Sequence, residues 1–319
     1  MSKRHVHYMN FLTNLVDLRC LILLLLAVVT SSCTFVSNQI VDAGNFIAQK
    51  VGLISEESNY SQDEQREQAL EIITPEQEYY IGRAVAARIL QRFPSAVNPD
   101  LQKYVQLVGQ ALVLSDSRGA PFGGYHFRII ESNQLNAISA PGGYVFITTR
   151  FLRSLESEDQ LAAILAHEVA HISGRHGLKT LKNTSLLAEV AGLGLASGGL
   201  SCIEALAQAT AIFSHLVDGL VDTLLESGYS QEFEYQADQG AYERLFKTGY
   251  QPQAIFSALQ VIENSEEAAK NAGGWFGTHP SVVERVARLK SLETSTSVDL
   301  SESGFNLRLE RWGQFLKGL

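Results

Sequence analysis

The spacing of apolar residues along the chain changes several times, and each change predicts an element. Leu21 to Val29 form an uninterrupted apolar run, after which residues 34 to about 70 turn from mixed to polar. Thr74, Pro75 and Gln77 read as a capped helix start with proline at the first position, predicting a helix to about Gln91. A second helix is expected from Asp100 to Leu112. Tyr125–Ile130 and Tyr144–Thr148 are rich in aromatic and β-branched residues and predict strands. Ser157 then supplies a cap, and Glu158 and Asp159 place negative charge in a first helical turn. Leu161, Ile164, Leu165 and Val169 continue that helix as an apolar stripe. From Leu186 to Leu225 the chain is rich in Ala, Gly and Leu, but Val190–Ile203, its longest charge-free part before Glu204, is too short to span a bilayer. Buried helices or a lid are expected there. Further helices are expected near 231–246, 252–264 and 280–293, with 296–319 as a tail. The pattern shows no internal repeat of useful length.

The chain has 319 residues, 45% of them hydrophobic, enough for one large domain or two small ones. Its formal net charge of −9 argues against nucleic acid as a partner, because such a surface needs a basic patch.

The N-terminus differs in kind from the rest. Lys3 and Arg4, the short apolar run, and Thr30-Ser31-Ser32 before Cys33 describe an export signal. A cysteine straight after small residues resembles a bacterial lipoprotein signal, with Cys33 as the lipid-bearing residue and the membrane as partner. Thr30 stands where such signals usually carry leucine, and an ordinary signal peptide or an uncleaved anchor is the alternative reading. Loss of residues 1–32 removes a net charge of +2 and leaves −11. Cys20 departs with the signal, and Cys202 is left as a lone buried thiol without an intrachain disulfide. Thr34, not aspartate, follows the lipid cysteine, which points to the outer rather than the inner membrane.

The densest chemistry lies in His167-Glu168-Val169-Ala170-His171. Positions i and i+4 share a helix face, so the two histidines can hold one zinc ion. Glu168 lies one position round the helix, placed as the general base of a metalloprotease. A catalytic zinc needs a third protein ligand. His176 falls one residue short of the position that a three-histidine motif would fill, here Gly177, so it is expected to end the helix as a partly cationic ring. Glu234 and Asp238, four apart on a later helix, share a face. Glu234 can complete the site while Asp238 orients a ligand histidine. The alternative is a solvated acidic face.

HEVAH, the Glu234/Asp238 pair, the Asn136–Gly143 segment running into Tyr144-Val145, and Thr278-His279-Pro280 together resemble the HtpX-like and CAAX-prenyl-endopeptidase-like zinc metallopeptidases. The resemblance covers roughly residues 70–293 and is closest to exported lipoprotein members. It implies an α+β, helix-rich zincin-like fold with a small β-sheet beside the HExxH helix, and one zinc held by His167, His171 and Glu234. Gln231 departs from the family, which often has arginine there, and puts a salt bridge at that point in doubt. The expected organisation is a signal over 1–32, a tether over 33–70, a peptidase domain over 71–295 and the tail. His279 and Arg285 are candidate donors to the developing oxyanion, against a capping histidine and a surface arginine; His279 closing the fourth zinc position is the other option. Gly142, Gly143, Tyr144 and Val145 are expected to form an edge strand that pairs with extended polypeptide substrates, against a simple hairpin turn. An endopeptidase of envelope quality control is the leading reading. An assembly factor with little proteolysis, and a zinc hydrolase of other substrates, are the competing ones.

Overall fold

The structure, a computed structural model, describes residues 73–114, 119–180, 202–264, 282–292 and 302–318. The export signal, Cys33, the tether, the side chain of Cys202 and His279 lie outside them. The chain divides into two units, residues 1–68 with 183–214, and residues 69–182 with 215–319. The second unit carries all the chemistry that follows and is described by itself.

Two capped helices open it. In α1 (Pro75–Arg92) Thr74 and Gln77 exchange the reciprocal hydrogen bonds of a capping box, and in α2 (Pro99–Val113) Asn98 caps Asp100 and Leu101. Three strands follow: β1 (His126–Ile130), β2 (Ala137–Ala140) and β3 (Tyr144–Thr148), in the spatial order β1-β3-β2. β1 runs parallel to β3, while β2 pairs antiparallel to it across the turn Pro141–Gly143.

The outer edge of β1 is closed by side chains. Gln102 and Gln106 accept from the amides of Ile129 and Phe127, while Gln102, Gln106 and Gln110 donate to the carbonyls of Phe127 and Tyr125. Four helical residues rise about 6 Å and two strand residues slightly more, so glutamines at i, i+4 and i+8 keep step with alternate strand residues. α2 thereby satisfies an edge that would otherwise invite another chain.

β2 is an element the sequence pattern did not predict. Ala137-Ile138-Ser139-Ala140 has low strand propensity, and the strand exists through its pairing with β3. Its discovery corrects the substrate-strand expectation: Tyr144 and Val145 lie in the central strand, paired on both sides. Gly142 and Gly143 have φ of 70° and 102°, and a Cβ on them would meet Tyr79 Cα at 2.7 Å and the Gly124 carbonyl oxygen at 2.1 Å. These glycines serve a tight hairpin turn pressed against α1, the alternative reading.

After α3 (Thr149–Ser154) comes α4 (Glu158–Ser173), capped by Ser157, whose hydroxyl accepts from the Gln160 amide. Every residue from Glu158 to Ile172 is buried, so α4 is the axis of the unit. A short helix α5 (His176–Lys179) follows it. α6 (Cys202–Asp222) runs into a π turn over Thr223–Ser227, and α7 (Gln231–Thr248) packs along α4. Ala170 meets Gly240 there, where an added Cβ would come within 2.9 Å, so the helices approach closely. α8 (Ala254–Glu263) and α9 (Val282–Leu292) follow. Among the described residues no helix is long and apolar enough to cross a membrane.

The segment read as a tail contains a helix, α10 (Glu302–Leu316), whose Trp312 and Phe315 join the core. It also clamps the start of α4. Arg308 Nε bonds Asp159 at 2.9 Å, and Arg311 Nε bonds Glu158 at 3.0 Å. Tyr104 and Tyr250 hydroxyls donate to the same Glu158 carboxylate, and the Gln251 amide donates to Asp159.

Candidate metal centre

α4 carries His167 and His171 one turn apart, and α7 brings Glu234 and Asp238 to face them from the opposite side. All four are buried. His167 Nε2 lies 3.0 Å from His171 Nε2 and 3.4 Å from Glu234 Oε2; His171 Nε2 lies 3.2 Å from Glu234 Oε1. The three donor groups fall within 4.8 Å of one another. A tetrahedral ion with bonds of about 2.0–2.1 Å holds its ligands roughly 3.3–3.4 Å apart, so the donor set fits zinc in both chemistry and spacing. Among the described residues this is the one such cluster.

Beyond the donors, His167 Nδ1 donates to Asp238 Oδ1 at 3.0 Å. Asp238 is held in turn by Arg285 from α9, through Nε at 2.8 Å and Nη2 at 2.6 Å. Arg285 Nη1 also lies 3.3 Å from Glu234. Burial raises the Asp238 carboxyl, but Arg285 and the His167 hydrogen bond outweigh it and keep the group below its ordinary value. Burial lowers His167, yet its hydrogen bonds to Asp238 and Glu234 carry it up to about 9.

Glu168 is the exception in this crowded site. Its carboxylate is 1% exposed, and among the described residues neither oxygen has a hydrogen-bond partner. A buried acid without a hydrogen bond is costly and calls for an explanation in function.

The opposite side of His171 is also furnished. Tyr229 stacks on its ring at 4.0 Å, and His176 Nδ1 lies 2.9 Å from its Nδ1. His176 is buried, and desolvation followed by the neighbouring His171 lowers it to about 3. The partly cationic helix terminator expected from sequence is therefore a neutral ring turned back toward the site. Gln231, standing where the family often has arginine, donates to Glu284 and links α7 to α9 all the same.

The model of Peptidase family M48 matches residues 99–293. The chain belongs to that family. M48 proteins are zinc metallopeptidases, and the helix-rich fold with its small sheet agrees with the zincin-like architecture. Beta-barrel assembly-enhancing protease of Escherichia coli (strain K12) is 26% identical over 213 residues, 66% of this chain and 42% of that protein. Mitochondrial metalloendopeptidase OMA1 of Saccharomyces cerevisiae is 30% identical over 159 residues, covering 48% and 42%. A protease HtpX homolog of Campylobacter curvus is 28% identical over 210 residues, covering 56% and 71%. The chain thus spans about two fifths of the length of the beta-barrel assembly-enhancing proteases it matches.

Within this M48 chain the structure brings together His167, Glu168, His171, Glu234, Asp238 and Arg285 from three helices. Arg285, expected to face a developing oxyanion, instead has its guanidinium on Asp238 and Glu234. Tyr229, His176 and Gln236 were missed as members of the site. The signal for His176 was a histidine five residues after His171 with a glycine between, a spacing that fits no single helical face.

Proposed function

We propose that this chain is a zinc-dependent endopeptidase that hydrolyses peptide bonds of unfolded or misassembled cell-envelope proteins. The observation that carries the reading is the buried Glu168 carboxylate, without a hydrogen bond among the described residues, beside three convergent metal donors. His167, His171 and Glu234 would hold the ion, and Asp238 with Arg285 would fix His167 so that Nε2 presents its lone pair. A zinc ion there supplies Lewis acidity, lowering the pKa of water and polarising the scissile carbonyl. Glu168, with no competing hydrogen bond, takes the proton of the attacking water and returns it to the leaving amine.

Substrate binding is assigned to β2 in place of β3. Asn136 turns its carbonyl toward β3, where it accepts from Thr148, so by the two-residue alternation Ala137 and Ser139 turn their peptide groups outward. An extended polypeptide can pair with that edge through its backbone, which reads little side-chain identity and suits unfolded substrates. Tyr229 hydroxyl donates to the outward Ser139 carbonyl at 3.2 Å, so the substrate must displace it to pair there.

The envelope setting rests on two supports: the name of the beta-barrel assembly-enhancing proteases, and the signal-like segment ending at Cys33. Lipidation of Cys33 and an outer-membrane position facing the periplasm follow from them as part of the proposal. Zinc content and casein cleavage of the detergent-solubilised full chain, beside its Glu168→Gln variant, test the enzyme. One zinc per chain with cleavage abolished only in the variant is expected; absence of zinc overturns the reading. Labelled palmitate retained by the native chain and lost from Cys33→Ser tests the anchor.

A further inference from the structure

We propose that His176 is the positioning residue of His171, a neutral acceptor that fixes which ring nitrogen of His171 faces the metal. The inference rests on the metallopeptidase reading above and goes beyond its ligand set.

The backbone is arranged to bring this ring back. α4 ends at Gly174, and Arg175 follows in the left-handed region, φ 54° and ψ 30°. Among the described residues it is the one non-glycine with positive φ, a conformation that a side chain disfavours. Two contacts hold it there: Arg175 Nε meets Glu78 at 2.8 Å, and Nη2 donates to the Ile73 carbonyl at 3.0 Å. The reversal lays His176 over the last turn of α4, so closely that a Cβ on Gly174 would stand 2.2 Å from His176 Nε2. Phe233 stacks on the ring at 4.5 Å, with the planes 9° apart.

The hydrogen-bond chain admits one assignment once His171 Nε2 is given to the metal. That nitrogen must carry a lone pair, so the ring proton sits on Nδ1 and donates to His176 Nδ1 at 2.9 Å. His176 Nδ1 is then unprotonated, and its proton sits on Nε2, which donates to Gln236 Oε1 at 3.2 Å. The Gln236 amide nitrogen donates in turn to Glu232 Oε1 at 3.1 Å. Every link has one donor and one acceptor, and the chain ends at an exposed carboxylate. His167 is oriented by a carboxylate that Arg285 neutralises; His171 is oriented without adding charge. An acid in place of His176 would put a further negative group beside Glu234 and Glu168 in a site whose arginine is already engaged. Partners of this kind set the tautomer and orientation of a ligand histidine and support metal affinity.

Three full-length variants and one spectrum test the assignment. His176→Phe keeps a flat ring on Phe233 but has no acceptor; His176→Asn retains an acceptor near the place of Nδ1; Gln236→Leu removes the partner of Nε2. Zinc dissociation constants come from chelator competition, with thermal unfolding of each protein as the folding control. We expect His176→Phe to weaken zinc about 10–100-fold, His176→Asn to stay within about threefold of the native chain, and Gln236→Leu to fall between them. The 15N spectrum of the zinc-loaded native chain should show His171 protonated at Nδ1. Native affinity in a folded His176→Phe, equal losses in the Phe and Asn variants, or a proton on His171 Nε2 would each overturn the role. If His176→Phe does not fold, the Asn and Leu variants and the spectrum still decide. Failure of the native chain itself to bind zinc is a separate result, and it removes the metallopeptidase reading along with this one.

Discussion

At its N-terminal end α4 turns Glu158 and Asp159 toward two arginines of α10; near its C-terminal end it turns His167, Glu168 and His171 toward α7 and Arg285. Both ends bury carboxylates, and both use arginine to do so. At the first end each acid is matched: Glu158 receives Tyr104, Tyr250 and Arg311, and Asp159 receives Arg308 and the Gln251 amide. At the second, Arg285 is committed to Asp238 and Glu234, and Glu168 receives no hydrogen bond among the described residues. The same helix and the same residue types thus close their hydrogen bonds at one end and, among the described residues, leave one acid open at the other.

The sharpest way to break that contrast is Glu168→Gln. It should lower kcat on casein by about 10²–10⁴-fold while leaving thermal stability unchanged or raised, because a buried charge without a hydrogen bond is removed. A stability loss equal to that of a matched acid would erase the distinction. Glu158→Ala at the other end should do the reverse. It strands the buried Tyr250 hydroxyl, the half-buried Tyr104 hydroxyl and an arginine, costing about 3 kcal/mol of unfolding free energy, the lower part of the range for a broken buried pair because Arg311 is half exposed. Zinc affinity of the folded fraction should stay native; denaturant unfolding with a metal titration reads both. Asp238→Asn sharpens the comparison from within the site. It keeps the shape but weakens the hold on His167 and Arg285, so zinc affinity should fall about 10–100-fold. A native dissociation constant there would assign Asp238 to packing alone. The smallest effect is expected from Ser157→Ala, which removes the cap of α4 and should cost about 1 kcal/mol, measured as a shift in the denaturant midpoint with activity retained.

Much of this is legible in the sequence. Local signals, a capping box at Thr74, a cap at Ser157, alternating β-branched residues in β3 and the i, i+4 pairs on α4 and α7, are set by neighbours in sequence, and those elements appear within a residue or two of expectation. What escaped depends on partners far along the chain. β2 is a strand only because β3 lies beside it. α10 mixes exposed Leu307 and Leu309 with buried Trp312 and Phe315, and its arginines make sense only with Glu158 and Asp159 in view. Spacing alone places His176 at a helix end, and the left-handed turn at Arg175 that redirects it depends on Glu78 and the Ile73 carbonyl. Arg285 stands out in the sequence but its direction does not, since nothing local shows that Asp238 claims its guanidinium.

The clamp on α4 also sets an order in time. Arg308 and Arg311 lie 149 and 153 residues after the acids they hold. During synthesis the HEVAH helix emerges long before them, and domains gain their structure as the chain lengthens. Until α10 is made, Glu158 can meet the Tyr104 and Tyr250 hydroxyls and Asp159 the Gln251 amide, but neither acid has its arginine. The start of the helix that carries Glu168 therefore gains its two charged contacts only when α10 follows, so its ion pairs close later than its hydrogen bonds to tyrosine and backbone.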